Sequence, residues 1–403
     1  MLLIKLGLRN LWRRRRRSVL TWLMILLGTT LIVYGVGLAE GSYGDMIRLA
    51  TQSFTGQFQV QAEGFDDKPS LFKTVKDPEA VERALLAREG VLAVTRRVEC
   101  AGLLAAGAKT SSAYVLGVDP AREGAVTTLP KTLVQGRWLS DDDAAGGLPL
   151  LLGRGLARRL GVAPGDTLSF VGQAADGSLA AELFILTGIL ASGAAEMDAG
   201  LALMRLEDAQ SLLALEGRAH RIVGAVDDWS KLDAILAGVD PGEGNALLSW
   251  RKLLPELDRT IDSDRQGTRI FLVIILLMVT LGVTNTMMMA VFERTREFGV
   301  MAALGTTPGK LLATVLWEAF WLSASGVLAG VGAGALLNRW VPLPVGSEGI
   351  DFGGVLIEVM RGRNCLLGNL YYPALIFAAG LLAGVIPALR AARLSPAAAL
   401  RKV

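Results

Sequence analysis

The sequence predicts a membrane α-helical protein: four transmembrane helices in a 1+3 order, with a large α+β extracytoplasmic domain inserted between the first and second. Three observations predict this class. Hydrophobic residues make up 52% of the 403 positions and charged ones only 20%, a balance that favours membrane spans over a soluble globule. Four apolar stretches, 18–39, 270–292, 311–337 and 371–389, reach the roughly 20 residues needed to cross a hydrocarbon core about 30 Å thick. The intervening residues 40–269 are long enough for a domain of their own.

Taken in order, residues 1–17 form a basic segment with Lys5, Arg9 and five consecutive arginines at 13–17. A nucleic-acid arm can share that composition, but the apolar run that follows at once reads as a membrane flank, and no nucleic-acid partner is expected. The run 18–39 is too long for the apolar part of a signal peptide and "GLAEG" is a poor cleavage site, so it is expected to stay as an anchor. The loop 293–310 carries Arg294, Arg296 and Lys310, and the tail 390–403 carries Arg390, Arg393, Arg401 and Lys402. The longer loop 338–370 has only Arg339, Arg361 and Arg363. Positive residues stay inside, so both termini and 293–310 are expected in the cytoplasm. Residues 40–269 then lie on the far side.

Within the insertion, "GQFQVQA", "AELFILTGIL" and "RIVGAVDD" read as strands, mixed with helical segments. "KDPEAVERALLAREG" predicts a helix with Asp77 as N-cap, Pro78 at its first position and Gly90 past its end. "LEDAQSLLALEG" predicts another, closed by glycine, and "GRGLARRLGVAPGDTLSF" a short helix, a turn and a strand. "SDDDAAGG" reads as a solvated loop, since its three acids lack any EF-hand spacing.

Several chemistries are unsupported. One histidine and two cysteines, Cys100 and Cys365, offer neither a transition-metal ligand set nor a histidine-based triad. His220 is expected at the surface beside a strand, and no disulfide is expected between the cysteines, which should share the extracytoplasmic side. "GTTPGKLL" is one residue short of a Walker A loop and has Leu311 in place of Ser or Thr. It reads instead as helix punctuation, with Thr307 as cap and Pro308 in the first turn. No catalytic residue and no metal site is expected.

Two features remain. The stretch "AVFERTREFGVMAALGTTPGKLLATVL" packs four charges into five residues, from Glu293 to Glu297. On one helix, Val291, Thr295, Phe298, Ala302 and Gly305 would share an apolar stripe, with Glu293, Glu297 and Leu304 opposite. Pairs Glu293–Arg296 and Arg294–Glu297 would each contribute only a few tenths of a kcal/mol. The pattern therefore reads either as a juxtamembrane helix or as a surface for a partner's mixed groove. Glu318 lies about two turns inside the third span, where a carboxylate costs roughly 2.5–3.5 kcal/mol on insertion scales. Thr284, Asn285 and Thr286 are its expected partners, through an interhelical hydrogen bond or a proton relay. Gly326, Gly330 and Gly334, and Gly380 and Gly384, predict close helix packing.

"NTMMMAVFERTREFGVMAALGTTPGKLL" resembles the coupling segment of the FtsX/MacB/LolCE-like permeases of ATP-binding-cassette (ABC) transporters. "LGLRNLWRRRRRSVLTWLMILLG" and "IPALRAARLSPAAALR" are similar to that superfamily's start and end, and the resemblance covers essentially the whole chain. "LGVAPGDTLSF", "FILTGILASGAAEMDAG" and "LEDAQSLLAL" are most similar to its lipoprotein-releasing (LolC/LolE-like) branch. The resemblance implies a permease of the bacterial inner membrane that pairs with a second permease, as homo- or heterodimer. Each would bind a separate ATPase subunit, which holds the ATP and Mg, so this chain carries no cofactor. Docking falls to Glu293, Arg294, Glu297, Phe298, Gly299, Met301, Leu304 and Gly305. In this branch, acyl chains of lipoprotein cargo enter between the first two spans, implying contacts at Tyr43, Met46, Ile47, Phe271, Ile274, Ile275 and Met278 on faces that lack charge. Cargo then passes to a periplasmic carrier. Two alternatives stay open: MacB-like export with a periplasmic adaptor, and an FtsX-like signal transmitter that activates a cell-wall hydrolase.

Overall fold

The computed structural model describes residues 15–140, 147–344, 350–352, 355–357 and 359–393. The basic residues before Arg15, the acidic loop at 141–143 and the tail beyond 393 lie outside these. The chain divides into two compact units. One comprises Met1–Tyr43, Thr260–Gly346 and Val359–Val403; the other comprises Gly44–Arg259 and Ser347–Glu358.

The first unit is a helical bundle. Among the described residues, four helices are long and apolar enough to cross a membrane: Arg16–Thr55, Pro255–Glu293, Pro308–Trp340 and Leu367–Ala392. The first two outrun the apolar stretches 18–39 and 270–292. Polar residues such as Glu40 and Asp45 continue the first helix. Pro255, with Glu256 and Asp258 in the first turn, starts the second well before its apolar part, as a proline and acids at a helix start favour. The loop 338–370 holds short paired strands, Leu343–Pro344 with Val359–Met360 and Ile350–Phe352 with Val355–Ile357.

Small residues set the packing. A Cβ on Gly330 would lie 2.6 Å from Thr29 Cβ and 2.8 Å from the Leu26 carbonyl oxygen. Gly326 and Gly334 meet Ile25 and Val33 in the same way. The third helix thus rests directly on the backbone of the first. Gly380 and Gly384 let the fourth helix approach Ser323 and Ala319 of the third. In lipid, where burial gives no hydrophobic gain between helices, such close backbone contact is what holds a bundle together. Ile25, Ile32, Val279, Val283, Leu322 and Ile376 fill the remaining core.

The second unit is α+β. Its strands are β1 (Phe58–Ala62), β2 (Val91–Ala106), β3 (Lys109–Val118), β4 (Leu133–Gly136), β5 (Leu148–Gly153), β6 (Thr167–Gln173), β7 (Leu179–Leu190), β8 (Leu201–Arg205), β9 (Arg221–Val226) and β10 (Asn245–Ser249). They pair in the order β10-β1-β9-β2-β3-β8-β5-β7-β4, and β6 bridges β2 to β7. That bridge closes a hydrogen-bonded ring of β2, β3, β8, β5, β7 and β6. Phe170, Phe184, Leu104, Leu150 and Met204 fill it, and Gly102 leaves room for the Phe170 ring, which a Cβ would meet at 2.3 Å. The long β2 serves both halves: Val91–Arg97 pairs with β9 and Arg97–Ala106 with β3. The predicted helices are Pro78–Leu86, Leu206–Leu212 and Arg154–Leu160. Asp77 caps the first by accepting from the Ala80 amide at 3.1 Å.

One detail differs from the sequence reading. His220 is buried, not superficial. Its Nδ1 accepts from the Glu99 amide at 2.9 Å, its Nε2 lies 3.2 Å from the Leu71 carbonyl, and it stacks on Phe65. Such a ring is neutral, and burial pushes its pKa down. Arg97 is also buried, paired with Glu123, and its guanidinium reaches the Phe54 carbonyl. Neither residue stands out in one dimension, because β2 and β9 are brought together only by long-range pairing. Cys100 and Cys365 are free thiols, and burial pushes the Cys100 thiol up to about 12.

Candidate functional site

The stretch between the second and third long helices is not one helix. The second helix ends at Glu293, Arg294 has φ −107° and ψ 13°, and a nine-residue helix then runs Thr295–Ala303. Gly305, at φ +89°, turns the chain toward Pro308, a conformation that suits glycine. Thr307 occupies the N-cap position of the third helix, but its side chain makes no capping bond.

This break sorts the predicted docking residues. Phe298 and Gly299 face the bundle and are buried, and Met301 is half-buried beside them. Glu297, Leu304 and Gly305 are exposed, together with Arg296 and Val300. Leu304 stands out at 82% exposure, one turn past exposed Val300. The outward face therefore mixes charge (Arg296, Glu297) with apolar surface (Val300, Leu304). Arg294 pairs with Glu297 at 3.1 Å as predicted. The predicted pair Glu293–Arg296 is replaced by Glu293–Arg17 at 2.9 Å, because the break at Arg294 takes Glu293 and Arg296 off a common helix.

Glu318 also differs from expectation. It accepts from Arg294 at 3.3 Å rather than from the polar cluster of the second helix. Thr284 donates instead to the Ala383 carbonyl, and Thr286 to that of Gly282. Both hydroxyls donate to backbone carbonyls, and the non-helical Arg294 brings its guanidinium to the third helix. Arg390 lies 5.8 Å from the Phe292 ring. The starts of the first and third helices and the ends of the second and fourth therefore share one end of the bundle.

At the other end the predicted cargo residues divide. Tyr43, Met46, Ile47 and Ile275 are buried, whereas Phe271, Ile274 and Met278 are exposed on one face of the second helix. Nor is this end free of charge. The Tyr43 hydroxyl donates to Asp264, Arg265 pairs with Glu40 at 3.4 Å, and Arg265 lies over the Tyr43 ring. The cavity there, lined by Val36, Glu40, Tyr43, Arg265, Leu367 and Tyr372, holds about 50 Å³. Ligand pockets run to about 300 Å³ and above, so this one is too small for an acyl chain. The sequence hid this because Asp264 and Arg265 precede the apolar run. Among the described residues no cluster of His, Cys, Asp or Glu could hold a metal ion.

Residues 18–241 match the MacB-like periplasmic core domain, and residues 269–396 match the FtsX-like permease C-terminal family. The lipoprotein-releasing system transmembrane protein LolC of Xylella fastidiosa is 24% identical, over 99% of this chain and 98% of its own length. An uncharacterized ABC transporter permease of Methanocaldococcus jannaschii is 22% identical, over 99% and 97%. The macrolide export ATP-binding/permease protein MacB of Marinobacter nauticus is 26% identical over 98% of this chain, which spans 60% of that longer protein. The periplasmic region of MacB from Actinobacillus actinomycetemcomitans superposes with a TM-score of 0.36 at 15% identity, covering 51% of this chain and 94% of that one. With more than half of its length matched by the core-domain family and residues 269–396 by the FtsX-like permease family, the chain belongs to the FtsX/MacB/LolCE superfamily of ABC transporter permeases.

Proposed function

We propose that this permease docks a separate ABC ATPase on the outward face of the helix Thr295–Ala303, and uses ATP hydrolysed there to move amphiphilic cargo. The observation that carries the docking reading is Leu304, an almost fully exposed leucine beside exposed Glu297, Arg296 and Val300. A chain seeking only to join two membrane helices gains nothing from that mixture, whereas a partner's groove buries it. On this reading both termini and the docking face are cytoplasmic, as the loop arginines indicate, and two permeases carry two ATPases.

For cargo, we favour lipoprotein or another amphiphile drawn from the outer leaflet. The match to LolC along nearly its whole length supports this, while MacB is matched over 60%. The exposed stripe Phe271, Ile274 and Met278 supplies an uncharged face for an acyl chain. On the α+β unit, Leu103 faces Val171 across the ladder, with Leu183 diagonal to it, all exposed. That face suits a periplasmic carrier or adaptor.

Copurification of the full chain in mild detergent, with mass spectrometry of bound proteins and lipids, tests both halves. An ATPase and a lipoprotein are the expected companions. An adaptor with peptide or macrolide-like cargo would favour MacB-like export, and a cell-wall hydrolase would favour signalling. Leu304→Asp should weaken ATPase retention by about 30-fold, the scale of an interface hot spot, without loss of folded permease. Full retention by that variant would remove the docking face from consideration.

A further inference from the structure

Arg294 is the single non-helical residue between the second long helix and the short helix Thr295–Ala303. At such a break the helical hydrogen-bond ladder is interrupted, so the short helix can pivot about one residue's φ and ψ. Side-chain contacts must then set its angle.

The Arg294 side chain supplies them. It is 13% exposed, so it does not present a free charge to an incoming partner. Its Nη1 donates to Glu318 at 3.3 Å, its Nε donates to Glu297 at 3.1 Å, and its plane lies 5.0 Å from the Phe298 ring. Glu318 stands ten residues after Pro308 in the third helix, among buried Val315, Ala319 and Leu322, about 15 Å along its axis. A planar guanidinium can bridge two carboxylates and stack on a ring at once, which an ammonium cannot. Glu293, the residue before the break, is held separately by Arg17 of the first helix. The pivot is thus tied on one side to the first helix and on the other to the first third of the third helix.

We infer that Arg294 and Glu318 form the joint through which movement of the short helix reaches the third helix. Glu318 is then a positioning residue: it touches no ATPase and acts through Arg294. The inference rests on the docking reading above, which locates the ATPase on the exposed face of the same short helix. Docking uses Glu297 and Leu304, while transmission uses the opposite, buried side.

The test uses the full permease with its copurified ATPase in lipid nanodiscs. Glu318→Gln, which leaves the exposed face and the Arg294–Glu297 pair in place, should keep the ATPase within about twofold of normal retention, yet lower permease-dependent stimulation of ATP hydrolysis about tenfold, within the usual range of intersite coupling. Arg294→Gln should lower stimulation at least as far, with some loss of retention because it also removes a partner of Glu297. The charge exchange R294E/E318R restores the attraction between positions 294 and 318 but sets like charges at 294 and 297, so it should recover part of that stimulation. Retention is the readout that separates transmission from a structural defect, since a misfolded permease would lose its ATPase along with the stimulation. Stimulation that survives Glu318→Gln, or a double variant no better than either single one, overturns the joint. If the glutamine variants fail to insert, Glu318→Asp and Arg294→Lys keep charge while shortening reach or losing the fork. Reduced stimulation with intact retention is expected of them, and unchanged stimulation overturns the joint equally. Leu304→Asp provides the separate arm: if it keeps its ATPase, the docking face fails whatever Glu318→Gln does.

Discussion

Arg97–Glu123 in the α+β unit and Arg294–Glu318 in the helical bundle are both shielded arginine–glutamate pairs, and they are built differently. Arg97 and Glu123 are enclosed at 1% and 0% exposure. Thr127 donates to Glu123 at 2.5 Å, and Arg97 also reaches the Phe54 carbonyl at 2.5 Å and covers the Phe54 ring. That pair ties Phe54, in the π-helical turn Thr51–Thr55 that continues the first long helix, into the strands of its own unit. Arg294 and Glu318 sit looser, at 3.3 Å, with the arginine shared by Glu297 and placed on non-helical backbone. The same two side chains thus serve opposite ends: one geometry with every neighbour fixed, and one that several nearby geometries could replace. A buried ion pair is therefore not in itself a rigid device. What surrounds the arginine backbone decides it.

The sharpest way to break this contrast is to remove one partner. Arg97→Ala leaves Glu123 buried and uncompensated, and should cost about 3–5 kcal/mol of unfolding free energy in the full chain, read from denaturant unfolding of the α+β unit's tryptophan signal. The apolar replacement R97M/E123L/T127V should be neutral or stabilising, because the desolvation penalty vanishes with the charges. A loss below about 1 kcal/mol for Arg97→Ala would place the pair with ordinary surface bridges.

A second prediction sets the glycine contacts against the ion pairs as bundle fasteners. Gly330→Leu must displace Thr29 and the Leu26 backbone, and should destabilise the bundle by about 1–3 kcal/mol through overpacking. Gly332, with nothing within 4 Å of its missing Cβ, provides the control: Gly332→Ala should be neutral or slightly stabilising. Thermal unfolding in detergent separates the two, and equal effects would mean that the third helix does not rest on the first.

The smallest effect concerns His220. Burial holds its folded pKa below the ordinary 6.5, so the unfolded chain takes up the proton first. Its contribution to stability is complete above 6.5 and lost as pH falls through the lower folded value. Melting of the full chain followed between about pH 7.5 and pH 5 should show that decline, and His220→Gln should flatten it. Parallel slopes for the two would show that the imidazole is not linked to folding.

How much was legible beforehand varied with the range of the interaction. The helix at Pro78, with its Asp77 cap, follows from a few adjacent residues, and so do the strands around Val60, Ile185 and Val223. Glycine spacing announced close helix contacts but not the partners, Thr29 and Ser323. The pairing of Glu318 was misread because the nearest polar residues by depth were the threonines of the second helix, and nothing local marks Arg294 as non-helical. Tyr43 and Ile275 read as open to cargo because hydropathy records composition and not which face is covered.

By itself the sequence determined the four apolar spans, the inserted α+β unit, the superfamily resemblance and the stretch 293–305 as the place of interest. Each rests on patterns within about twenty residues, the scale on which hydropathy and periodicity act. Only the tertiary structure decided that β6 closes a ring, that Arg17 meets Glu293 across 276 residues, and that Phe298 turns inward while Leu304 turns out. Those outcomes depend on which distant surfaces fill the space around a side chain. Close packing settles that jointly for all of them, and no window of sequence contains it.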